Sequence, residues 1–138
     1  MYLLDTNVVS ELRKRPGRID ARVASWGATV SAGEQYLSVI TLFEVELGIL
    51  LLERKDAAQG KLLRTWFDAA LLGVFAQRTL EIDQDVAQRV AGLHVPDPRP
   101  ERDAFIAATA LVHGLTVATR NTADFEPMGV PIVNPWAH

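Results

Sequence analysis

The sequence predicts an α/β fold, and three observations carry the prediction. Short runs rich in branched and aromatic residues, at 1–4, 36–40, 74–80, 115–119 and 131–133, are too brief for typical helices and read as strands. Between them lie longer segments whose apolar residues recur at intervals of three and four, as in helices packed on a core. Strands that alternate with helices imply right-handed crossovers, and so a mostly parallel sheet covered on both faces. With 49% hydrophobic and 22% charged residues in 138 positions, the chain is expected to form a single domain, residues 1–138.

Taken in order, residues 1–4 form a buried strand that ends at Asp5-Thr6-Asn7, a group suited to turns and helix caps. Val8, Val9 and Leu12 have helical spacing, and Arg13-Lys14-Arg15-Pro16-Gly17 closes that helix with cations and a proline. A short helix follows over 20–26. After the strand at 36–40, Thr41 is placed to cap a helix over 42–54, with Thr41-x-x-Glu44 as a capping box. A second helix covers 57–72, and Gly73 separates it from the weaker strand at 74–80. Asp83 caps a helix through Leu93, and Pro96, Pro98 and Pro100 keep 95–101 extended. An alanine-rich helix over 104–113 ends at Gly114, before the strand at 115–119. Asn121 is then placed as an N-cap, with Asp124 three residues on.

Composition narrows the function. The formal net charge of −3 does not fit a histone-like polycation, and the absence of cysteine excludes disulfides, iron–sulfur clusters and thiolate zinc sites. No apolar run approaches the roughly 18 residues of a membrane span. The acid at position 5 stands where a leader would be basic or apolar, so a cytoplasmic protein without membrane association is expected.

In an open parallel sheet, ligands bind outside the carboxyl ends of the strands. Four acids fall there: Asp5 after the first strand, Glu44 in the first turn of the helix after the second, Asp103 opening the helix into the fourth, and Asp124 five residues beyond the fourth. Each has a plain structural reading, because acids are favoured at helix N-termini whatever their chemistry. That reading leaves unexplained why four acids share one edge without nearby compensating cations. Clustered carboxylates must hold protons or hold a cation, and oxygen-only donors suit Mg²⁺ or Mn²⁺. His94, His113 and His138 are too scattered for a zinc site. A carboxylate-held ion pair could activate water for in-line attack on a phosphodiester. Arg13, Lys14, Arg15 and Arg18, followed by Arg22, could touch phosphate, as could Arg54, Lys55, Lys61 and Arg64. Solvated helix surfaces are the competing reading of both groups.

At these residues the sequence resembles PIN-domain ribonucleases, specifically the VapC toxins of bacterial toxin–antitoxin pairs and their FitB-like branch. The likeness runs through Leu3-Leu4-Asp5-Thr6-Asn7, Ser38-Val39-Ile40-Thr41-Leu42-Phe43-Glu44-Val45-Glu46-Leu47-Gly48, Asp103-Ala104-Phe105-Ile106-Ala107-Ala108-Thr109-Ala110, Gly114-Leu115-Thr116-Val117-Ala118-Thr119-Arg120-Asn121-Thr122-Ala123-Asp124-Phe125 and Val133-Asn134-Pro135-Trp136. It implies an α/β/α sandwich with a central parallel sheet of about five strands. It implies a catalytic, metal-binding set of Asp5, Glu44, Asp103 and Asp124, with Asn7, Thr119 and Asn121 beside it. The Thr119 hydroxyl or the Asn121 amide would orient a carboxylate or a water. Glu46, Asp97 and Glu101 would be surface or interface residues.

The resemblance also implies a metal-dependent endoribonuclease with an RNA substrate, a homodimer, a VapB-type antitoxin partner, and promoter DNA reached only through that antitoxin. Leu50, Leu51, Leu52, Leu63, Trp66, Phe67, Leu71 and Leu72 fit core packing, with any surplus forming a groove for an antitoxin helix. A haloacid-dehalogenase phosphotransferase would need an acid where Asn7 stands, and no glycine-rich nucleotide loop is present. The alternative is a regulatory binding protein, weakly active or inactive as a nuclease, that works with a DNA-binding antitoxin.

Overall fold

A computed structural model describes all residues, 1–138. Its sheet is built from β1 (Tyr2–Leu4), β2 (Gln35–Ser38), β3 (Thr79–Leu80), β4 (Thr116–Ala118) and β5 (Ile132–Val133). The strands are all parallel and lie in the order β3-β2-β1-β4-β5. The chain therefore builds outward from β1 on one side, then returns to build outward on the other. The reversal opens a crevice between the carboxyl ends of β1 and β4, the usual place for a ligand in such sheets.

Alternation along the strands divides the core into two layers. Leu4, Leu37 and Ala118 point to one face, where Val8 and Val9 of α1 (Thr6–Leu12), Val23 and Trp26 of α2 (Ala21–Ala28) and Val45 and Ile49 of α3 (Val39–Lys55) cover them. Leu3 and Val117 point to the other, beneath Val86 and Val90 of α6 (Gln84–Leu93) and the alanine-rich face of α7 (Glu101–His113). Small side chains on α7 let that helix lie close to the sheet, which fixes its first turn against the strand ends. Gly114, in the left-handed conformation at φ 68°, ends it, and Leu115 N–H closes back on Ala110 C=O at 2.8 Å.

The structure departs from the sequence expectations in four places. Strand β2 stops at Ser38, whose hydroxyl accepts from Ile40 N–H at 3.0 Å, so α3 starts at Val39 and Thr41 caps nothing. Thr41 lies fully buried in the helix with its hydroxyl unpartnered, and the Thr41-x-x-Glu44 capping box does not form. The strand expected at 74–80 shrinks to Thr79–Leu80, because Leu72–Val74 (α5) is still helical and Phe75 turns into the core. The helix expected at 57–72 is α4 (Ala57–Trp66) followed by a π-helical turn, Phe67–Leu71. Phe67, Leu71 and Phe75 recur at strict intervals of four, and the wider turn lets all three face the core. Finally, α7 begins at Glu101, directly after Pro100.

Candidate active site

Asp5 sits at the crevice. Its backbone N–H continues the β4 pairing by donating to Ala118 C=O at 2.9 Å, so the end of the sheet itself sets its position. The residue is 4% exposed, and its carboxylate accepts from Thr6 N–H at 2.9 Å, from the Thr119 hydroxyl at 2.7 Å and from Asn7 Nδ2 at 3.0 Å. Thr119 closes the network: its Oγ1 accepts from Asn7 Nδ2 at 3.3 Å and from Asn121 N–H at 3.0 Å. The Asp5–Thr119 bond thus joins β1 to β4 across the topological switch. Asn7 does more than lie nearby, because its Oδ1 also accepts Arg120 N–H at 3.1 Å.

Glu44 reaches the same place from α3. With no capping box to serve, its carboxylate accepts from the Thr6 hydroxyl at 2.7 Å, and Arg102 Nη1 stands 3.7 Å away. Asp103, in the first turn of α7, is half-buried and does not cap its helix, the N-cap position being Pro100. Asp124 is exposed in the first turn of α8 (Thr122–Phe125). Asn121 occupies the N-cap position there, but its side chain makes no capping bond, contrary to the N-cap reading. Glu44, Pro100, Glu101, Arg102 and Asp103 line an open cleft of about 410 Å³.

The electrostatics show that the four acids share one field. Burial raises Asp5 above the ordinary carboxylate range, against the lowering effect of its bonds to Thr119, Thr6 and Asn7, and Glu44 raises it further. Asp103 is pushed up to about 6, by burial first and then by the charges of Asp5, Asp124 and Glu44. The donors are all carboxylate oxygens, with Arg102 the one cation paired to any of them, so the set fits a hard divalent ion in its chemistry. It does not form a closed cage: no three acid or histidine side chains converge to coordination distance.

These shifts predict an unusual pH dependence. A carboxyl whose folded pKa exceeds its unfolded value contributes stability below the unfolded value, and that contribution is lost as pH rises through the folded one. For Asp103 the window runs from its ordinary 3.8 to about 6. In chelator, wild type is expected to lose on the order of 1 kcal/mol relative to Asp103→Asn between pH 4 and pH 7, allowing for partial solvent exposure. Urea midpoints of the two proteins across that range check it. A difference independent of pH would refute it. Using the difference removes the opposite trend from Glu11, Asp20, Glu34 and Glu46, whose pKa values are lowered.

The basic residues are divided. Arg13, Lys14, Arg15 and Arg18 surround one open hollow of about 480 Å³ at the far end of α1. Seven residues of helix place it roughly 10 Å from Asp5. In the second group, Arg64 pairs with Glu46 through both nitrogens and approaches Glu53 and Asp68 at 3.5 and 3.9 Å, so it ties α4 to α3. Of the apolar set, Phe67 and Leu71 are core, Leu50, Leu51 and Leu72 are exposed, and Leu52, Leu63 and Trp66 are intermediate. Sequence reasoning missed Thr6, Arg102 and Arg120 at this site. Each adjoins a residue it did select, and that adjacency is the only signal the sequence offers for them.

A family model described as PIN domain matches residues 2–129. The chain is 38% identical to Toxin FitB of Neisseria gonorrhoeae over 142 residues, covering 99% of each. It is 35% identical to the VapC ribonuclease Y4jK of Sinorhizobium fredii over 144 residues, covering 99% of this chain and 98% of that protein. The solved structure of FitAB bound to an IR36 DNA fragment superposes with a TM-score of 0.88 at 35% identity, covering 99% of this chain and 96% of that one.

Proposed function

The chain belongs to the PIN-domain family, and from that premise we propose that it is a divalent-metal-dependent endoribonuclease acting as the toxin of a VapBC-type pair. The observation that supports this reading best is Asp103, whose carboxyl is raised by burial and by the three other acids facing it at the sheet edge. A cluster at this tension is relieved by a bound cation, and Asp5, Glu44, Asp103 and Asp124 are the residues that would hold Mg²⁺ or Mn²⁺. Such an ion makes water a stronger nucleophile at neutral pH and neutralises charge that develops on the phosphate oxygens.

The chain's own residues prepare the site. Three donors fix the Asp5 rotamer, so its carboxylate is oriented before any ligand arrives. The Thr6 hydroxyl holds Glu44 toward the same crevice. Thr119→Val removes the shortest bond to Asp5, leaves Asn121 N–H without its acceptor and leaves Asn7 Nδ2 with Asp5 alone. Cleavage is expected to fall by roughly ten- to a hundredfold, and stability by about 1–3 kcal/mol. Thr119→Ser should restore most of both. Equal activity in the Val and Ser variants would remove Thr119 from the site.

We assign the protein to the cytoplasm and to a homodimer, with a VapB-type antitoxin as partner and promoter DNA bound through it. The exposed Leu50 and Leu51 of α3 offer apolar area for the second copy. A hollow of about 310 Å³ lined by Leu52, Leu62, Leu63 and Trp66, with Arg13 and Arg15 at its edge, offers a groove for an antitoxin helix. Unchanged antitoxin affinity in a Leu62→Ala, Leu63→Ala variant would end that assignment.

The deciding experiment is cleavage of a structured RNA pool by antitoxin-free protein in Mg²⁺ or Mn²⁺, against chelator. Cutting that needs the ion is expected. Folded wild-type protein that cuts nothing with either ion would transfer the weight to a purely regulatory role.

A further inference from the structure

Four acids at one edge repel a polyanion, so an RNA substrate needs cations close to them. The basic hollow at Arg13–Arg18 lies a helix length away. Two other arginines adjoin the site: Arg102 beside Asp103 and near Glu44, and Arg120, whose backbone N–H donates to Asn7. Arg102 precedes Asp103 and is exposed; its guanidinium lies over the Phe43 ring at 4.8 Å, and its nearest carboxylate, Glu44, is at 3.7 Å, beyond hydrogen-bond reach. Arg120 follows Thr119 and is also exposed; its backbone N–H is pinned by Asn7, its guanidinium lies over Trp136 at 5.2 Å, and it enters no ion pair. Each guanidinium is therefore held in place on an aromatic ring with its donors available.

The geometry points to Arg102 and Arg120 as the residues that grip the RNA strand beside the acids, with the Arg102–Phe43 pair as a platform for an unpaired base. The inference rests on the ribonuclease reading and adds to it the residues that hold the strand. Planar guanidiniums bind phosphate oxygens in pairs, and a guanidinium stacked on a ring presents its other face to a base. Phe43 is 49% exposed, so the pair is open to an unpaired base. Trp136, by contrast, is buried in the core, so it seats Arg120 without offering a face to a base.

The test uses anisotropy of a fluorescein-labelled, unstructured RNA dodecamer in chelator, titrated at several salt concentrations, beside steady-state cleavage with Mn²⁺. Arg102→Ala and Arg120→Ala are each expected to weaken binding about tenfold and to flatten the salt dependence by about 0.7 in log–log slope, the value for one lost phosphate contact on a single strand. Arg102→Lys should keep the slope while losing part of the affinity, which also excludes misfolding as the cause. Phe43→Ala should weaken binding about fivefold at unchanged slope. In cleavage, the arginine variants should raise KM and leave kcat within about twofold. Arg89→Ala, an exposed arginine of α6 outside both basic groups, is the control. If wild type cuts RNA but the two arginine variants match it in affinity, slope and KM, the grip is overturned while the ribonuclease reading stands. If wild type neither cuts nor binds, both fall together.

Discussion

Asp5→Asn and Asp103→Asn are each expected to lower RNA cleavage by roughly a thousandfold or more, since either removes a charged oxygen from the set that would hold the ion, and several kcal/mol of transition-state stabilisation with it. Their effects on stability should differ, and the difference makes the test specific. Asp5 is surrounded by donors: Thr6 N–H, Asn7 Nδ2 and the Thr119 hydroxyl. An asparagine amide that keeps its oxygen toward Asn7 and Thr119 must turn its own donor against Thr6 N–H. The relief of a buried charge offsets that conflict, so Asp5→Asn should stay within about 1 kcal/mol of wild type in chelator. Asp103 makes no such bonds and is repelled by three neighbours, so Asp103→Asn should be the more stable protein at pH 7. Paired melting curves and cleavage rates measure both. Cutting that survives both substitutions would place the chemistry elsewhere on the molecule.

Gly60→Ala is expected to lower stability although it replaces a helix glycine. In most helices this change adds about 1 kcal/mol, because alanine is the better helix former. Here a Cβ at position 60 would lie 2.6 Å from Glu53 Cγ, 2.7 Å from Glu53 Cα and 2.9 Å from Glu53 N. Two of those atoms are backbone of α3 and cannot move aside as a side chain would. The helices must separate, and the expected net loss is about 1–3 kcal/mol. Separation would also loosen the Arg64 pairs with Glu46 and Glu53, which tie the same two helices. Gly48→Ala, in the interior of α3 with nothing within 4 Å of its Cβ, should instead stabilise by about 0.5–1 kcal/mol. Urea midpoints of the two variants give opposite signs if the close approach is what requires glycine. A stable Gly60→Ala protein would mean that the α3–α4 contact yields.

Local pattern made much of this protein legible. Strand β4 and the glycine before it were readable because branched residues and a left-handed cap act through the nearest few positions. Asp83 was readable as a cap for the same reason, and its carboxylate accepts Val86 N–H at 3.0 Å. The four acids could be assigned to one edge because parallel topology fixes which end of every strand and helix they occupy. Where two local signals competed, sequence could not arbitrate. Val39 and Ile40 have strong strand preference, and both Ser38 and Thr41 are good caps. The pairing with β3 runs no further than Ser38 and Leu80, and the Ser38 hydroxyl takes the cap by accepting Ile40 N–H.

Sequence by itself therefore determined the class of fold, the two-layer core and the type of chemistry the edge could support, since each follows from periodicity and residue type. Only tertiary structure decided the partner of Glu44, the raised carboxyl of Asp103 and the two arginines beside the acids. Those properties depend on distances between groups far apart in the chain, such as Arg120 N–H and Asn7 Oδ1, 113 positions apart. Burial and Coulomb energy act through space, and no spacing along the chain records them.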